Sequence, residues 1–157
     1  MWRIVFLLAG LGFGLPLAAQ SPLSFGLKAG YVRSAEASPP FTGGAYLEVA
    51  IPFLASVESG VLFKRYDFGP ATKGATEIPL LLKKRIGPFP VKPFLSTGAT
   101  LHKQSGRDWR TGFTIGGGVT ISALLVKLEP ELRFTRYGQG VLPGGRNQTE
   151  VLVGFRF

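Results

Sequence analysis

Glu150-Val151-Leu152-Val153-Gly154-Phe155-Arg156-Phe157, the stretch that ends the chain, sets large apolar residues at every second position up to a final aromatic. Side chains on a β-strand point alternately to opposite faces. Val151, Val153, Phe155 and Phe157 therefore share one face, and Glu150, Gly154 and Arg156 share the other. An apolar strand of this kind is expected to be held by a partner rather than frayed into solvent. We read it as a last strand that pairs with the first and closes a barrel.

The same period returns along the chain, and no segment after residue 20 supports an amphipathic helix of useful length. Eight segments carry it: Ser24 to Val32, Gly44 to Ile51, Ala55 to Tyr66, Thr76 to Ile86, Pro93 to Lys103, Thr111 to Ser122, Val126 to Tyr137 and Thr149 to Phe157. The 157 residues are one domain's worth, and 22 Gly and 12 Pro suit strands and turns better than helices. An even strand number lets an up-and-down meander bring its first and last strands together antiparallel. The predicted fold class is an all-β, eight-stranded antiparallel up-and-down transmembrane β-barrel spanning residues 20 to 157.

Residues 1 to 19 read as a signal peptide: Arg3, an apolar run from Ile4 to Leu17, then Ala18-Ala19 before the expected cleavage point. The run is shorter than the ~20 residues a membrane-spanning helix needs. Connections alternate in length. Those after the second, fourth and sixth strands are short (Pro52 to Leu54, Gly87 to Val91, Ala123 to Leu125). The others are longer and polar (Arg33 to Gly43, Gly69 to Ala75, Gln104 to Arg110, Gly138 to Gln148). Short turns at one end and long loops at the other are the asymmetry of outer-membrane barrels, which fixes the expected location in the outer membrane.

The charges decide which face is inside. One parity, with Phe25, Leu27 and Tyr31, Leu47 and Val49, Val61 and Phe63, Ile78 and Leu80, Phe113 and Ile115, and Val151 and Val153, is almost free of charge. The other carries Lys28, Glu48, Glu58, Lys64, Glu77, Lys83, Arg85, His102, Lys127, Glu129, Glu131, Arg133, Glu150 and Arg156, which include six of the nine acids. A soluble or periplasmic lipocalin-like barrel would turn the apolar face inward around a ligand. The continuity of the apolar face, the near balance of acids and bases among Gly and Ser on the other, and export favour the apolar face outward. Leu62, Pro79, Leu81 and Leu152 break the pattern on the polar parity, and Lys84 breaks it on the apolar one.

Unpaired buried ions are costly, so lumen charges are expected in pairs. Centring the last loop near Leu142 sets Glu129 across from Arg156. Centring the Gly69 to Ala75 loop near Ala71 brings Lys64 to Glu77, and Glu58 to Lys83 or Arg85. Tyr31, Phe113 and Phe134 towards the loop end, and Phe25, Phe155 and Phe157 towards the turn end, match interfacial aromatic girdles.

Thr76-Glu77-Ile78-Pro79-Leu80-Leu81-Leu82-Lys83, Lys92-Pro93-Phe94-Leu95-Ser96-Thr97-Gly98-Ala99, Gly116-Gly117-Gly118-Val119 and Leu128-Glu129-Pro130-Glu131-Leu132-Arg133-Phe134 resemble strand motifs of the eight-stranded outer-membrane β-barrel domain family, which includes PorT-like and OmpA-like small barrels. The resemblance covers residues 21 to 157. It implies insertion by the outer-membrane assembly machinery, with Phe157 as the aromatic assembly signal, and it carries no reaction with it.

Without a cysteine and with one His, the chain offers no usual zinc set and no disulfide, and no cofactor is expected. Gly116-Gly117-Gly118 and Gly144-Gly145 lack the following helix and Lys of a phosphate loop. His102 with Ser105 carries the alternative of a rim-active lipid A modifying enzyme. Its parity points His102 into the lumen, however, and a triad needs mutual hydrogen-bond reach, so no enzyme is expected. Lys73, Arg107, Arg110 and Arg146, with Lys103 and Arg136, place cations at the loop end of a chain of net charge +9, with the aromatic Trp109 among them. The expected partners are outer-membrane lipid and lipopolysaccharide rather than nucleic acid, and a monomer is expected.

Overall fold

The computed structural model describes residues 22–33, 41–52, 55–68, 71–87, 90–123, 126–138 and 146–157. They form eight strands: β1 (Leu23–Arg33), β2 (Phe41–Ile51), β3 (Ala55–Phe68), β4 (Ala71–Arg85), β5 (Val91–Gln104), β6 (Arg110–Ala123), β7 (Val126–Tyr137) and β8 (Asn147–Arg156). Each strand pairs antiparallel with its neighbours in sequence, and β8 pairs with β1 to close the barrel. The proposed signal peptide lies outside the described residues, as do 34–40 and 139–145 of the first and last loops.

Closure satisfies the backbone. Every strand has a partner on both sides, so no edge of unpaired N–H and C=O groups is left, which is the condition for a sheet to exist in hydrocarbon. The register also fixes the tilt. A row of paired residues runs Leu23, Val49, Val57, Leu82, Thr97, Ile115, Phe134, Thr149 and returns to β1 at Arg33, ten positions beyond its start. Eight strands with this stagger tilt by roughly 40°. Each row climbs towards the loop end as it passes from β1 to β8.

The climb brings Tyr31, Phe41, Phe63, Phe113 and Phe134 to a similar level near the loop end, all of them exposed on the outer face. At the turn end, Phe157 donates its backbone N–H to Phe25 O at 2.9 Å, and the two rings lie 5.8 Å apart. Between the rings, Leu27, Leu47, Leu80, Leu82, Leu95, Ile115, Leu132 and Val151 are exposed. The outer wall is apolar and the interior polar.

Expectations on both strand boundaries and register need correcting. β3 and β4 continue to Phe68 and from Ala71, which pair with each other, so the stretch from Ala71 to Ala75 is strand and not loop. Phe41 to Gly43 belongs to β2, and Arg110 opens β6 opposite His102. Glu129 faces Gly154 in the ladder, while Arg156 faces Lys127. Likewise Lys64 faces Ala75, and Glu58 faces Leu81. In each case the register is two residues from the one that centring the loop gives, because the strands run further into the connection than its polar composition suggests.

Candidate functional site

The lumen holds six carboxylates and six cations in ion pairs among the described residues: Glu48, Glu58, Glu129 and Glu131 with Lys28, Lys83, Arg85, Arg133 and Arg156, and Glu77 and Glu150 with Lys64. They sit at inward positions of six strands, and the climb of the rows sorts them into three tiers. At the turn side, Arg85 forks onto Glu48, with Nη2 2.8 Å from Oε2, and reaches Glu129 Oε1 at 2.7 Å and Thr120 Oγ1 at 3.1 Å. Arg156 Nη1 donates to Glu48 Oε1 at 3.1 Å, and its Nη2 lies 3.4 Å from Glu129.

In the central tier Glu58 is the hub. It accepts from Lys28, from Lys83 Nζ at 2.5 Å and from Arg133 Nη2 at 3.1 Å. Glu131 in turn holds Lys28 at 2.8 Å and Arg133 at 3.0 Å. Lys83 Nζ also lies 3.0 Å from Glu129 and 3.6 Å from Glu48. Glu48, Glu58 and Glu129 converge closely enough to hold a cation, and the cation they hold is the Lys83 ammonium. Tyr46 and Phe94 complete this tier, with Lys28 Nζ 4.6 Å from the Tyr46 ring centroid and Lys83 Nζ 4.4 Å from that of Phe94.

The loop-side tier gathers on Glu77. Lys64 bonds it, Tyr137 Oη donates to it at 2.6 Å, and His102 Nδ1 lies 3.6 Å away, while Lys64 also reaches Glu150 at 2.5 Å. Beside this cluster Thr100, Thr114 and Thr135 link their hydroxyls at 2.6 and 2.9 Å. Leu62, Leu81 and Leu152, which broke the alternation, point inward and are fully buried, with Pro79 buried beside them. They fill space between charged tiers. The interior is packed with side chains, Arg133, Lys83, Phe94 and Leu62 being the largest of those fully buried.

The structure thus places Lys64 with Glu77, Glu58 with Lys83 and Glu129 with Arg156 as diagonal rather than directly opposed pairs. Such neighbours, two residues off the ladder partner, lie within reach of long side chains. Arg85 is not a partner of Glu58; it goes to Glu48 and Glu129, because it lies one tier nearer the turns. Parity had put Lys28, Glu48, Glu131, Arg133 and Glu150 on the inner face without naming their partners. Glu131 and Arg133 are neighbours on β7, but the other partners lie on strands distant in sequence, up to 108 residues away, and no hairpin argument reaches them.

His102 and Ser105 are not brought together as a nucleophile and its base. His102 is buried in the lumen with its ring 5.3 Å from that of Tyr137. Ser105 is exposed in the β5–β6 turn, where Gly106 takes a φ of 79° that suits glycine and Arg107 N donates to Gln104 O at 3.0 Å.

Because the lumen network is neutral, the net charge lies elsewhere. Removing its six bases and six acids from the chain's 18 and 9 leaves 12 bases against 3 acids. At the loop end Arg33, Arg65, Lys103, Arg107, Arg110, Arg136 and Arg146 are all exposed. Arg33, Arg65 and Arg136 each follow an outward aromatic (Tyr31, Phe63, Phe134) by two positions, and so stand just above it on the same face. Trp109 is 44 % exposed, with Lys103 Nζ 5.6 Å from its ring centroid. Lys73, expected in a loop, lies in β4 opposite Tyr66, and its side chain is outside those described.

No family model matches the chain, and no curated protein sequence matches it. Among solved structures the chain is similar to Neisserial surface protein A (NspA), with 16% identity and a TM-score of 0.71 over 87% of this chain and 96% of that one. It is also similar to the N-terminal β-barrel domain of Pseudomonas aeruginosa OprF, with 19% identity, a TM-score of 0.53 and coverage of 85% and 97%. A third, the outer membrane enzyme PagL, has 12% identity, a TM-score of 0.54 and coverage of 85% and 98%. The likeness is one of fold.

Proposed function

We propose that this chain is an integral outer-membrane protein, a barrel whose packed, salt-bridged lumen serves stability, and whose role is structural or exercised through its loop end. The observation that carries the reading is the inverted polarity of the wall. Phe25, Leu27, Leu47, Leu80, Leu95 and Leu132 lie exposed outside, while Glu58, Glu77, Lys83 and Arg133 are fully buried inside. A contiguous exposed apolar surface of this extent is not sustained in water, and it matches a bilayer's hydrocarbon. A lipocalin-like binder would need the reverse arrangement.

The loop-end cations and aromatics support contact with the phosphates of lipopolysaccharide at the outer interface. Phe157, exposed at the turn end beside Phe25, is the proposed signal to the assembly machinery. The PorT-like and OmpA-like affinity rests on the strand motifs. The chain is proposed to act as a monomer without catalytic activity, since His102 is committed to the Glu77 cluster inside the barrel.

The protein is expected to stay with the outer-membrane fraction after carbonate washing and to migrate faster on gels when unheated than when boiled. Recovery as a soluble monomer would refute the membrane reading. Replacing Arg107, Arg110 and Arg146 together by alanine is expected to weaken binding to lipopolysaccharide-containing vesicles by roughly tenfold or more at low salt, and much less at high salt. Unchanged binding would remove lipopolysaccharide as the partner of this rim.

A further inference from the structure

The outer wall is not uniformly filled. Gly117 occupies an outward position of β6, flanked in the ladder by Leu95 of β5 and Leu132 of β7. Nothing in the barrel's construction demands a glycine there. Its φ is not in the left-handed region, and an added Cβ would meet only Leu95 Cδ2 at 3.4 Å and Phe94 O at 3.5 Å, which is ordinary contact. Gly117 lies in the lining of a groove of about 540 Å³ in the wall. Such a volume falls within the roughly 300–1,000 Å³ of small-molecule sites.

The groove has a direction. Lys84, Leu95, Gly117 and Leu132 form one row of the ladder, and rows climb towards the loop end from β1 to β8. Lys84 therefore stands at the turn-side foot of the groove, while Ile115 and Phe134, in the next row up, border its top. Lys84 is exposed, an ammonium on an otherwise apolar face at the level where a leaflet's headgroups begin. An elongated apolar trough with a cation at its lower end complements one class of molecule.

We propose that this groove is a lipid slot that takes an acyl chain of one anionic phospholipid from the turn-side leaflet, with the lipid phosphate against Lys84 Nζ. The chain lies along Gly117 between Leu95 and Leu132, and the charge contact at the foot selects anionic over zwitterionic headgroups. A second trough of about 450 Å³, bordered by Leu27, Ala45, Leu47, Ser59 and Val61, has no charged residue in its lining. That trough is an internal control, because it offers the apolar contact without the cation.

The slot rests on the membrane reading, and the two can fail separately. The test takes the full chain, refolded into micelles doped with equal amounts of phosphatidylglycerol and phosphatidylcholine bearing the same palmitoyl and oleoyl chains, and counts retained lipid by native mass spectrometry. The unaltered protein is expected to keep one phosphatidylglycerol when other lipid is stripped. Lys84→Gln is expected to lower the preference over phosphatidylcholine by about fivefold, the value of one cation near an anionic lipid. Gly117→Leu, whose Cβ has ordinary contacts and whose branch projects into the groove, is expected to lower retention of either lipid by about tenfold through lost methylene contact. Ala45→Leu is expected to change neither.

Equal retention by all four proteins, each showing heat-modifiable migration, would overturn the slot and leave the membrane reading intact. A Lys84→Gln protein that keeps its full preference would overturn the headgroup contact. If Gly117→Leu instead converts a dimer to a monomer without altering lipid retention, the trough is a self-association face and the proposal is wrong.

Discussion

Replacing Glu58 by alanine is expected to destabilise the folded barrel by about 3–5 kcal/mol, the usual cost of leaving buried charges unpaired. Glu58 is fully buried and is shared by Lys28, Lys83 and Arg133. Its removal leaves five carboxylates to balance six cations in the same space. Lys83 still has Glu129 and Arg133 still has Glu131, but the lumen carries an uncompensated positive charge that it cannot move to water. The measurement is the urea midpoint at which the compact, unheated gel band disappears. A midpoint unchanged from that of the unaltered protein would mean that the network contributes nothing. Pairing Glu58→Leu with Lys28→Met removes one charge of each sign and is expected to restore much of the loss, since a buried ion pair replaced by apolar groups of similar volume is often neutral.

Gly44→Ala is expected to be at least as damaging, for a reason that has nothing to do with charge. Gly44 points inward on β2 opposite Leu62, and a Cβ built on it would lie 1.9 Å from Val61 O and 2.9 Å from Leu62 Cα. Both are backbone atoms of β3, so no rotamer change makes room, and the β2–β3 ladder must separate. Ordinary overpacking of a core costs roughly 1–3 kcal/mol because side chains can shift; a methyl directed at the neighbouring strand's backbone is expected to exceed that and to abolish the heat-modifiable species in refolding trials. Gly117→Ala, where space is open, is expected to refold like the parent within about 0.5 kcal/mol. Equal refolding yields for the two variants would show that the tight curvature at Gly44 is not what requires the glycine.

Much of this architecture is legible in the amino-acid sequence. Period two is unforgiving: once Val151, Val153 and Phe155 are assigned outward, Glu150 and Arg156 must face inward, and the same logic carried around eight strands separates the two surfaces. Composition is a poorer guide to where strands end. Thr72, Lys73 and Gly74 look like a loop, yet each pairs in the ladder, because in a closed barrel backbone pairing continues past the hydrocarbon and does not need apolar side chains. That extension moved the hairpin registers by two residues and turned opposed ion pairs into diagonal ones. The hub role of Glu58 was out of reach altogether. It depends on Arg133, 75 residues away, and only the closure and its ten-residue stagger bring β3 and β7 into range across the lumen. In the Gly116-Gly117-Gly118 run, the outward parity of the middle glycine sets it apart from its neighbours, whose added Cβ atoms would collide with a side chain or backbone across the ladder.

The long reach of the lumen pairs bears on how the chain gets to this state. Lys28 finds Glu131 across 103 residues and Arg156 finds Glu48 across 108, so the pairs that β1 to β4 make among themselves, Lys28–Glu58, Lys83–Glu58 and Arg85–Glu48, are completed only when the last strands arrive. Local hairpins alone give little reward, while non-local contacts dominate and slow the search. A half-assembled sheet would present Lys28, Glu48 and Glu58 on an open face, where hydrocarbon penalises them and water does not. Assembly is therefore expected to hold the nascent sheet in a wet, sheltered setting and to release it into lipid only when β8 meets β1. In that sense the interior works as a kinetic latch: the seam that completes the ladder is also the event that makes the inner face electrically silent.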